Sequence, residues 1–200
     1  MIKLDALPKN GRSFMQQPNS PAPEAVLRSY FRAKDENRPH LLEEVFVSGA
    51  ELVIRNQSAN IAFPAVTHGR PAIAEVLVRS FVLSYENIYS FYLERPAAGV
   101  QEFTCAWLVG MSERSSGNVR VGCGTYVWAF EPHAPRVANR LAITIEAMQV
   151  LPHSEFEPVF AWLGALNYPW SSAAFALQGI PRTELLAPIA AFLGRNVAGT

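Results

Sequence analysis

The chain has 200 residues, of which 50% are hydrophobic and 17% are charged, a composition typical of a globular domain with a full core. Lysine plus arginine equals aspartate plus glutamate at 17 each, which argues against a nucleic-acid partner and removes the net repulsion that keeps monomers apart. No apolar run reaches the roughly 18 residues that span a bilayer, and residues 1–20 contain no apolar signal-peptide core. We therefore expect a cytoplasmic protein without a membrane partner.

The N-terminal part predicts an arm followed by two helices. Residues 1–22 are polar and interrupted by prolines, which is typical of a flexible arm. A first helix is expected from Pro23 or Glu24, because apolar residues then recur at helical spacing. Its buried stripe comprises Val26, Leu27, Tyr30 and Phe31, and its far side comprises Arg28, Arg32, Asp35 and Glu36. A second, short helix would turn Leu41, Leu42, Val45 and Phe46 inward.

The middle of the chain predicts short strands around a third helix. Strands are expected at Glu51–Asn56 and Ile61–Val66. Pro71 is at the first position of the helix that follows His68 and Gly69, where proline is favoured. Its buried stripe would be Ile73, Val76, Leu77 and Phe81, and an extended aromatic run follows at Tyr85–Glu94.

Three long runs then predict an antiparallel sheet: Val100–Arg114, Val119–Glu131 and Val137–Leu151. A turn at residues 115–118 would pair Cys105 with Trp128 and Cys123 with Gly110. The two cysteines would then lie on the order of 16 Å apart along the sheet. A disulfide needs Cα atoms within about 7 Å, so we expect two reduced, buried cysteines.

The C-terminal residues 153–200 predict a helical extension. Phe156, Val159, Phe160 and Leu163 have helical spacing, and Thr183 is a suitable N-cap for a last helix. Because this segment carries many large apolar side chains, it is expected to pack on the preceding domain or on a partner subunit.

The order of these elements, together with three local sequences, resembles the nuclear transport factor 2-like superfamily. The local sequences are Tyr30-Phe31-Arg32-Ala33-Lys34 in the first helix, Phe46-Val47-Ser48-Gly49-Ala50-Glu51-Leu52 before the first strand, and His68-Gly69-Arg70-Pro71-Ala72-Ile73 at the third helix. Gly49 stands where the superfamily commonly has aspartate.

The resemblance covers residues 23–152 and implies an α+β fold. A cone-shaped, curved and mainly antiparallel mixed sheet would wrap around the N-terminal helices and leave an apolar pocket. Residues 153–200 would be an addition, and one hypothesis places Phe156–Leu193 over the open end of the cone. Members include ketosteroid isomerase and SnoaL-like cyclases as well as non-catalytic modules, so the fold does not name a function.

The resemblance also supplies two site residues. Tyr30 stands where ketosteroid isomerase carries a tyrosine that donates to a developing oxyanion, although it could equally be a core tyrosine. Arg55 stands at or beside the position of the isomerase's carboxylate base. An arginine cannot serve as that base, so Arg55 is either a ligand-binding cation or a solvated residue.

One face of the predicted sheet gathers aromatic residues. Alternation places Trp107, Tyr126 and Trp128 on the same face. Gly122 and Gly124 share this face and suggest a sharp bend or a close backbone approach. This face could line a pocket for an apolar or aromatic small molecule. It could also be plain core or a surface on which two subunits stack.

Two further residues are candidate acids or bases. Glu146 lies in the last strand and is expected either to face the pocket or to be solvated or paired with Arg120. His68 precedes the third helix and could be a base at the pocket rim, or a solvated loop histidine. No motif for a metal, a phosphate loop or another cofactor is recognisable.

Two functions remain open at this point. The first is a small-molecule-binding protein with an apolar pocket, which could be a cofactor-free SnoaL-like isomerase or lyase. The second is a non-catalytic homodimerisation or assembly module with a bare apolar sheet face. A homodimer is expected under both, and the sequence does not decide whether the protein is an enzyme.

Overall fold

The structure, a computed structural model, describes residues 22–133 and 136–197. Six strands form one sheet, and helices pack on both of its faces. The strands are β1 (Phe46–Asn56), β2 (Val66–His68), β3 (Tyr85–Tyr92), β4 (Glu102–Glu113), β5 (Val119–Phe130) and β6 (Ala138–Leu151). The helices are α1 (Pro23–Asp35), α2 (Arg70–Ala74), α3 (Phe81–Ser84), α4 (Phe156–Gly164), α5 (Ala173–Gly179) and α6 (Ala187–Val197).

Shorter helical turns join these elements. Three of them are 3₁₀ turns, at Pro39–Glu44, His153–Glu155 and Glu184–Leu186. A π-helical turn at Glu75–Arg79 separates α2 from α3. Within the described residues, no helix is long and apolar enough to cross a membrane. The arm expected over residues 1–22 lies, apart from Ala22, outside the described residues.

The strand order is β2-β1-β6-β5-β4-β3, in which β1 and β6 are parallel and the other neighbours are antiparallel. The expected α+β class, with a curved mixed sheet around N-terminal helices and a helical tail, is confirmed. The expected strand at Ile61–Val66 is wrong, because residues 61–65, which include Pro64, are irregular and β2 begins at Val66. Phe46, expected in a helix, begins β1.

The β4–β5 pairing differs by two residues from the expected register. Cys105 lies opposite Tyr126, and Cys123 lies opposite Leu108. Because side chains alternate with a period of two, a shift of two residues leaves every side chain on its expected face. Cys105 and Cys123 pack in different cores and are both free. Burial raises the pKa of the Cys123 thiol to about 12, so this thiol is a poor nucleophile.

Helix α1 fills the concave face of the sheet. Its apolar stripe is fully covered, as Leu27 and Phe31 show with no exposed surface. Phe31 stacks on Tyr92 of β3 at 3.9 Å between ring centroids, and Tyr30 meets Trp128 of β5 edge-on at 5.0 Å. Each fully buried side chain of this size contributes about 1.5–3 kcal/mol. The helix is therefore fixed against the sheet, and so are the side chains that it carries.

The C-terminal helices cover the opposite, convex face. Trp162 and Leu163 of α4 and Phe192 of α6 pack on outward side chains of β4 and β5, such as Leu108 and Val121. Residues 169–171 also pair with the edge of β3, where Tyr92 N–H donates to Pro169 O at 2.8 Å. The hypothesis that Phe156–Leu193 lies over the open end of the cone is therefore wrong. Because the convex face is itself apolar, the helices bury it.

Candidate ligand-binding site

A small cavity lies between α1 and the concave face of the sheet. Its volume is about 60 Å³, well below the roughly 300–1,000 Å³ of pockets that enclose drug-sized ligands. Its walls are almost wholly apolar. The lining residues contributed by the sheet are Ile54, Trp107, Val109, Met111, Tyr126, Ile143, Ile145 and Met148, and those contributed by helices and the 57–65 loop are Tyr30, Lys34, Ile61, Phe63, Leu77 and Phe81.

Tyr30 lies on the wall that α1 forms. Only 1% of its surface is exposed, and its hydroxyl makes no hydrogen bond with the described residues. Burial raises the pKa of Tyr30 well above its ordinary value, and the Asp35 carboxylate adds to this. The Tyr126 hydroxyl, placed to donate a hydrogen bond to the Tyr30 oxygen, opposes the shift with the smallest effect of the three and leaves the Tyr30 O–H without an acceptor. Tyr30 is therefore a neutral hydrogen-bond donor without an acceptor, held at the edge of an apolar space.

The three predicted aromatic residues share the concave face, as their alternation indicates. Trp107 and Tyr126 line the cavity and stack on each other at 5.5 Å between ring centroids. Trp128 lies deeper, against Tyr30 and Phe46, and does not reach the cavity. The indole N–H groups of both tryptophans are buried without a partner. Trp107 thus adds a second unpartnered donor to the cavity wall.

A buried ion pair at the end of α1 was missed by the sequence reasoning. Lys34 Nζ lies 2.5 Å from Asp35 Oδ1 and donates to Ser90 Oγ at 2.7 Å. The Asp35 side chain is only 5% exposed, although its helical position predicted a solvent-facing residue. Burial raises the pKa of Asp35 above its ordinary value, while Lys34 and Ser90 oppose this. Lys34 follows Tyr30 by four residues, a spacing that puts both on one helix face. This spacing could have identified Lys34 as a neighbour of the site from the sequence.

Three predicted site residues lie away from the cavity. The expectation that Glu146 faces it is wrong. Ile143 and Ile145 line the cavity, so Glu146 lies on the other face of β6. It is also the extra residue of a bulge, since Ile145 pairs with Gly124 and Ala147 with Cys123. Its carboxylate accepts from Arg195 of α6 at 3.1 Å, not from Arg120.

His68 and Arg55 are both exposed and do not line the cavity. His68 ends the edge strand β2 opposite Glu51, and Arg55 lies opposite Thr144. The structure thus brings Tyr30, Trp107 and Tyr126 together at the cavity and leaves His68, Arg55 and Glu146 outside. Within the described part of the chain, no three His, Cys, Asp or Glu side chains lie close enough to hold a metal ion.

A second, outer cleft of about 290 Å³ adjoins the cavity. Ile61, Phe63 and Phe81 line both spaces and therefore form the partition between them. The rings of Phe63 and Phe81 stack at 6.3 Å between centroids, and both side chains are only partly buried. Phe81 follows the π-helical turn, an irregularity that is frequent at functional sites. These two rings control how large a molecule the cavity can hold.

We expect the double variant Phe63→Ala/Phe81→Ala to join the two spaces and to bind the neutral dye N-phenyl-1-naphthylamine about tenfold more tightly, since the dye no longer has to displace the rings. Dye fluorescence in a titration measures this. The matched control is Phe156→Ala/Phe160→Ala, which removes a stacked pair on the other side of the sheet. Equal affinity in both double variants would contradict the role of the partition.

Solved structures with a similar fold include a putative isomerase of Rhodopseudomonas palustris, with 15% identity and a TM-score of 0.51, covering 61% of this chain and 87% of that one. A type 2 hexachlorocyclohexane dehydrochlorinase (LinA) has 12% identity and a TM-score of 0.50, and the match covers 64% of this chain and 85% of the dehydrochlorinase. A nuclear transport factor 2-like protein of Burkholderia thailandensis has 11% identity and a TM-score of 0.50, and the match covers 62% of this chain and 91% of the Burkholderia protein. No protein-family model and no curated protein matches the chain. At such identities the likeness is one of fold.

Proposed function

We propose that this chain, which has the nuclear transport factor 2-like fold, binds a small apolar molecule in the cavity between α1 and the concave sheet face. The proposal is supported above all by the unpartnered hydroxyl of Tyr30 at the cavity wall. A buried polar group without a partner costs roughly 1–3 kcal/mol. A ligand that offers an acceptor to Tyr30 would remove this cost, whereas a purely structural role would not need the hydroxyl.

The finer proposal is a cofactor-free, SnoaL-like isomerase or lyase reaction. A neutral phenol in an apolar site can stabilise negative charge that develops on a substrate oxygen. One neighbour in fold is named as a dehydrochlorinase, which supports elimination chemistry as a candidate. The cavity lining contains no carboxylate and no histidine, so a general base would have to act from outside it. We therefore place binding first and catalysis second.

The alternative of a homodimerisation or assembly module required a bare apolar sheet face. The concave face is covered by α1, and the convex face by α4 and α6. Large exposed apolar side chains among the described residues, such as Val66, Leu83 and Phe175, lie on different elements. No observation therefore favours this function over ligand binding, and the homodimer stays a prediction.

We expect Tyr30→Phe to leave the protein as stable as the wild type or more stable by up to about 1 kcal/mol, because a buried unsatisfied group is removed. The same change is expected to weaken the binding of cyclohexanone about tenfold, since the donor to its oxygen is lost. Urea unfolding and ligand-induced thermal shifts measure the two effects.

Tyr92→Phe is the matched control. Tyr92 is also fully buried, but its hydroxyl donates to Leu27 O at 3.1 Å and it does not line the cavity. We expect this variant to lose about 1 kcal/mol of stability and to bind cyclohexanone unchanged. The proposal fails if Tyr30→Phe behaves like Tyr92→Phe, or if no apolar probe raises the unfolding temperature of the wild type.

A further inference from the structure

We infer that Lys34 contacts the ligand of this cavity, and that the ligand is a neutral molecule with a carbonyl oxygen at one end. This inference rests on the proposed binding function and adds to it the chemical class of the ligand. The resemblance to the nuclear transport factor 2-like superfamily gives Lys34 no role. It follows from the position of the ammonium group and from the charge around it.

Lys34 has spare hydrogen-bonding capacity beside the cavity. An ammonium carries three donor N–H groups, and two of them have acceptors, Asp35 Oδ1 at 2.5 Å and Ser90 Oγ at 2.7 Å. The other described groups near Nζ are the rings of Phe31 and Phe81, at 5.7 and 5.6 Å from the ring centroids. Since Lys34 lines the cavity and is 7% exposed, the third N–H is available to a bound molecule.

The ammonium is held in place by groups that do not themselves reach the cavity. Asp35 accepts from the Ser90 hydroxyl at 2.9 Å and from the Ser90 N–H at 3.2 Å. Neither Asp35 nor Ser90 lines the cavity. Both are therefore positioning residues, and Lys34 is the member of the cluster that a ligand would meet. Such preorganisation lowers the entropy lost on binding.

The polar groups on the wall select one class of ligand. The Tyr30 hydroxyl and the Trp107 N–H lack partners, and Lys34 adds a third donor, so the site offers donors to an acceptor. An amine would meet the Lys34 charge and find no carboxylate on the wall. A carboxylate would add a negative charge to a buried pair that is already neutral, which is costly in an apolar site. A neutral carbonyl oxygen satisfies the donors without adding charge.

Three probes of similar shape test this class: cyclohexanone, methylenecyclohexane, which lacks the oxygen, and cyclohexanecarboxylate, which is anionic. Their dissociation constants for the wild-type protein are measured by thermal shift and by calorimetry. We expect cyclohexanone to bind about tenfold more tightly than methylenecyclohexane, and the carboxylate to bind most weakly. Equal binding of the ketone and the hydrocarbon, or tightest binding by the carboxylate, would overturn the inference.

The contact with Lys34 can be read directly without any variant. The chain has three lysines, Lys3, Lys9 and Lys34, so the ¹⁵Nζ spectrum of lysine-labelled protein is simple. We expect cyclohexanone to shift one resonance and methylenecyclohexane to shift it much less. That resonance should be missing in the double variant Lys34→Met/Asp35→Asn, which removes both charges and leaves no buried ion alone.

The same double variant is expected to lose the tenfold preference for cyclohexanone over methylenecyclohexane. The matched control, Arg140→Met/Glu51→Gln, removes an ion pair at the surface and should keep the preference. If the preference survives in Lys34→Met/Asp35→Asn, Lys34 does not contact the carbonyl. If the wild-type protein binds methylenecyclohexane as tightly as cyclohexanone, this inference fails alone. If the wild-type protein binds none of the probes, the proposed function fails with it.

Discussion

Replacing Gly124 with alanine is expected to lower the free energy of unfolding by more than about 3 kcal/mol. A Cβ at this position would overlap the carbonyl oxygen of Thr144 and come within 2.9 Å of its carbonyl carbon and 3.0 Å of Trp107 Cζ2. Thr144 belongs to the neighbouring strand β6, so relief would require that the two strands move apart at the bulge. Urea unfolding followed by circular dichroism measures the loss.

Alanine substitutions at two other glycines serve as comparisons for this prediction. At Gly122, on the same strand and face, the nearest obstacle is the flexible end of Met148, so Gly122→Ala should cost clearly less. At Gly194, within α6, no atom lies within 4 Å of an added Cβ, so Gly194→Ala should stabilise the protein by about 0.5–1 kcal/mol. If all three variants had similar stability, steric conflict at the β5–β6 bulge would not be the reason for Gly124.

Trp162→Ala is expected to cost about 3–5 kcal/mol. Trp162 is 5% exposed, its indole N–H donates to Ala176 O at 2.9 Å, and its ring lies in the core between the convex sheet face and the C-terminal helices. The loss should appear as one earlier, cooperative transition when circular dichroism and fluorescence are compared, because the two cores share one sheet. This result would show that the C-terminal helices are an integral layer of the fold.

Phe175→Ala provides the comparison for Trp162→Ala. Phe175 lies in the same C-terminal layer, but 43% of its surface is exposed, so its removal should change stability by no more than about 0.5 kcal/mol. Two separate unfolding transitions in Trp162→Ala, the first involving only the helices, would show instead that the layer folds independently of the sheet.

Much of the sheet could be predicted because its signal is local and periodic. Alternation along β4 and β5 placed Trp107, Tyr126 and Trp128 on one face, and this result did not depend on the turn geometry, since the register was wrong by an even number of residues. Gly122 and Gly124 indicated a bend or a close backbone approach. At Gly124 the backbone of Thr144 does lie very close, and the β5–β6 pairing changes register there.

The features that alternation could not supply depend on residues distant in sequence. Glu146 was assigned to the wrong face because alternation separates it from Leu141, Ile143 and Ile145 but does not say which of the two sets faces the pocket. Asp35 was assigned to the solvent side because its burial depends on Ser90, which β3 brings from far along the chain. The tail was misplaced because an apolar helix fits any apolar surface equally well on sequence grounds.

The parallel pairing of β1 with β6 has a consequence for synthesis of the protein. Residues 46–56 find their partners at residues 138–145, so a chain that emerges from the ribosome N-terminus first cannot complete the sheet until most of it has been made. The β4–β5 hairpin, joined by a short turn, can form early. Its convex side nevertheless stays uncovered until α4 and α6 follow. The nascent chain therefore carries exposed apolar strands from the time β4 and β5 emerge until α6 has been made, which is when protection by chaperones would matter most.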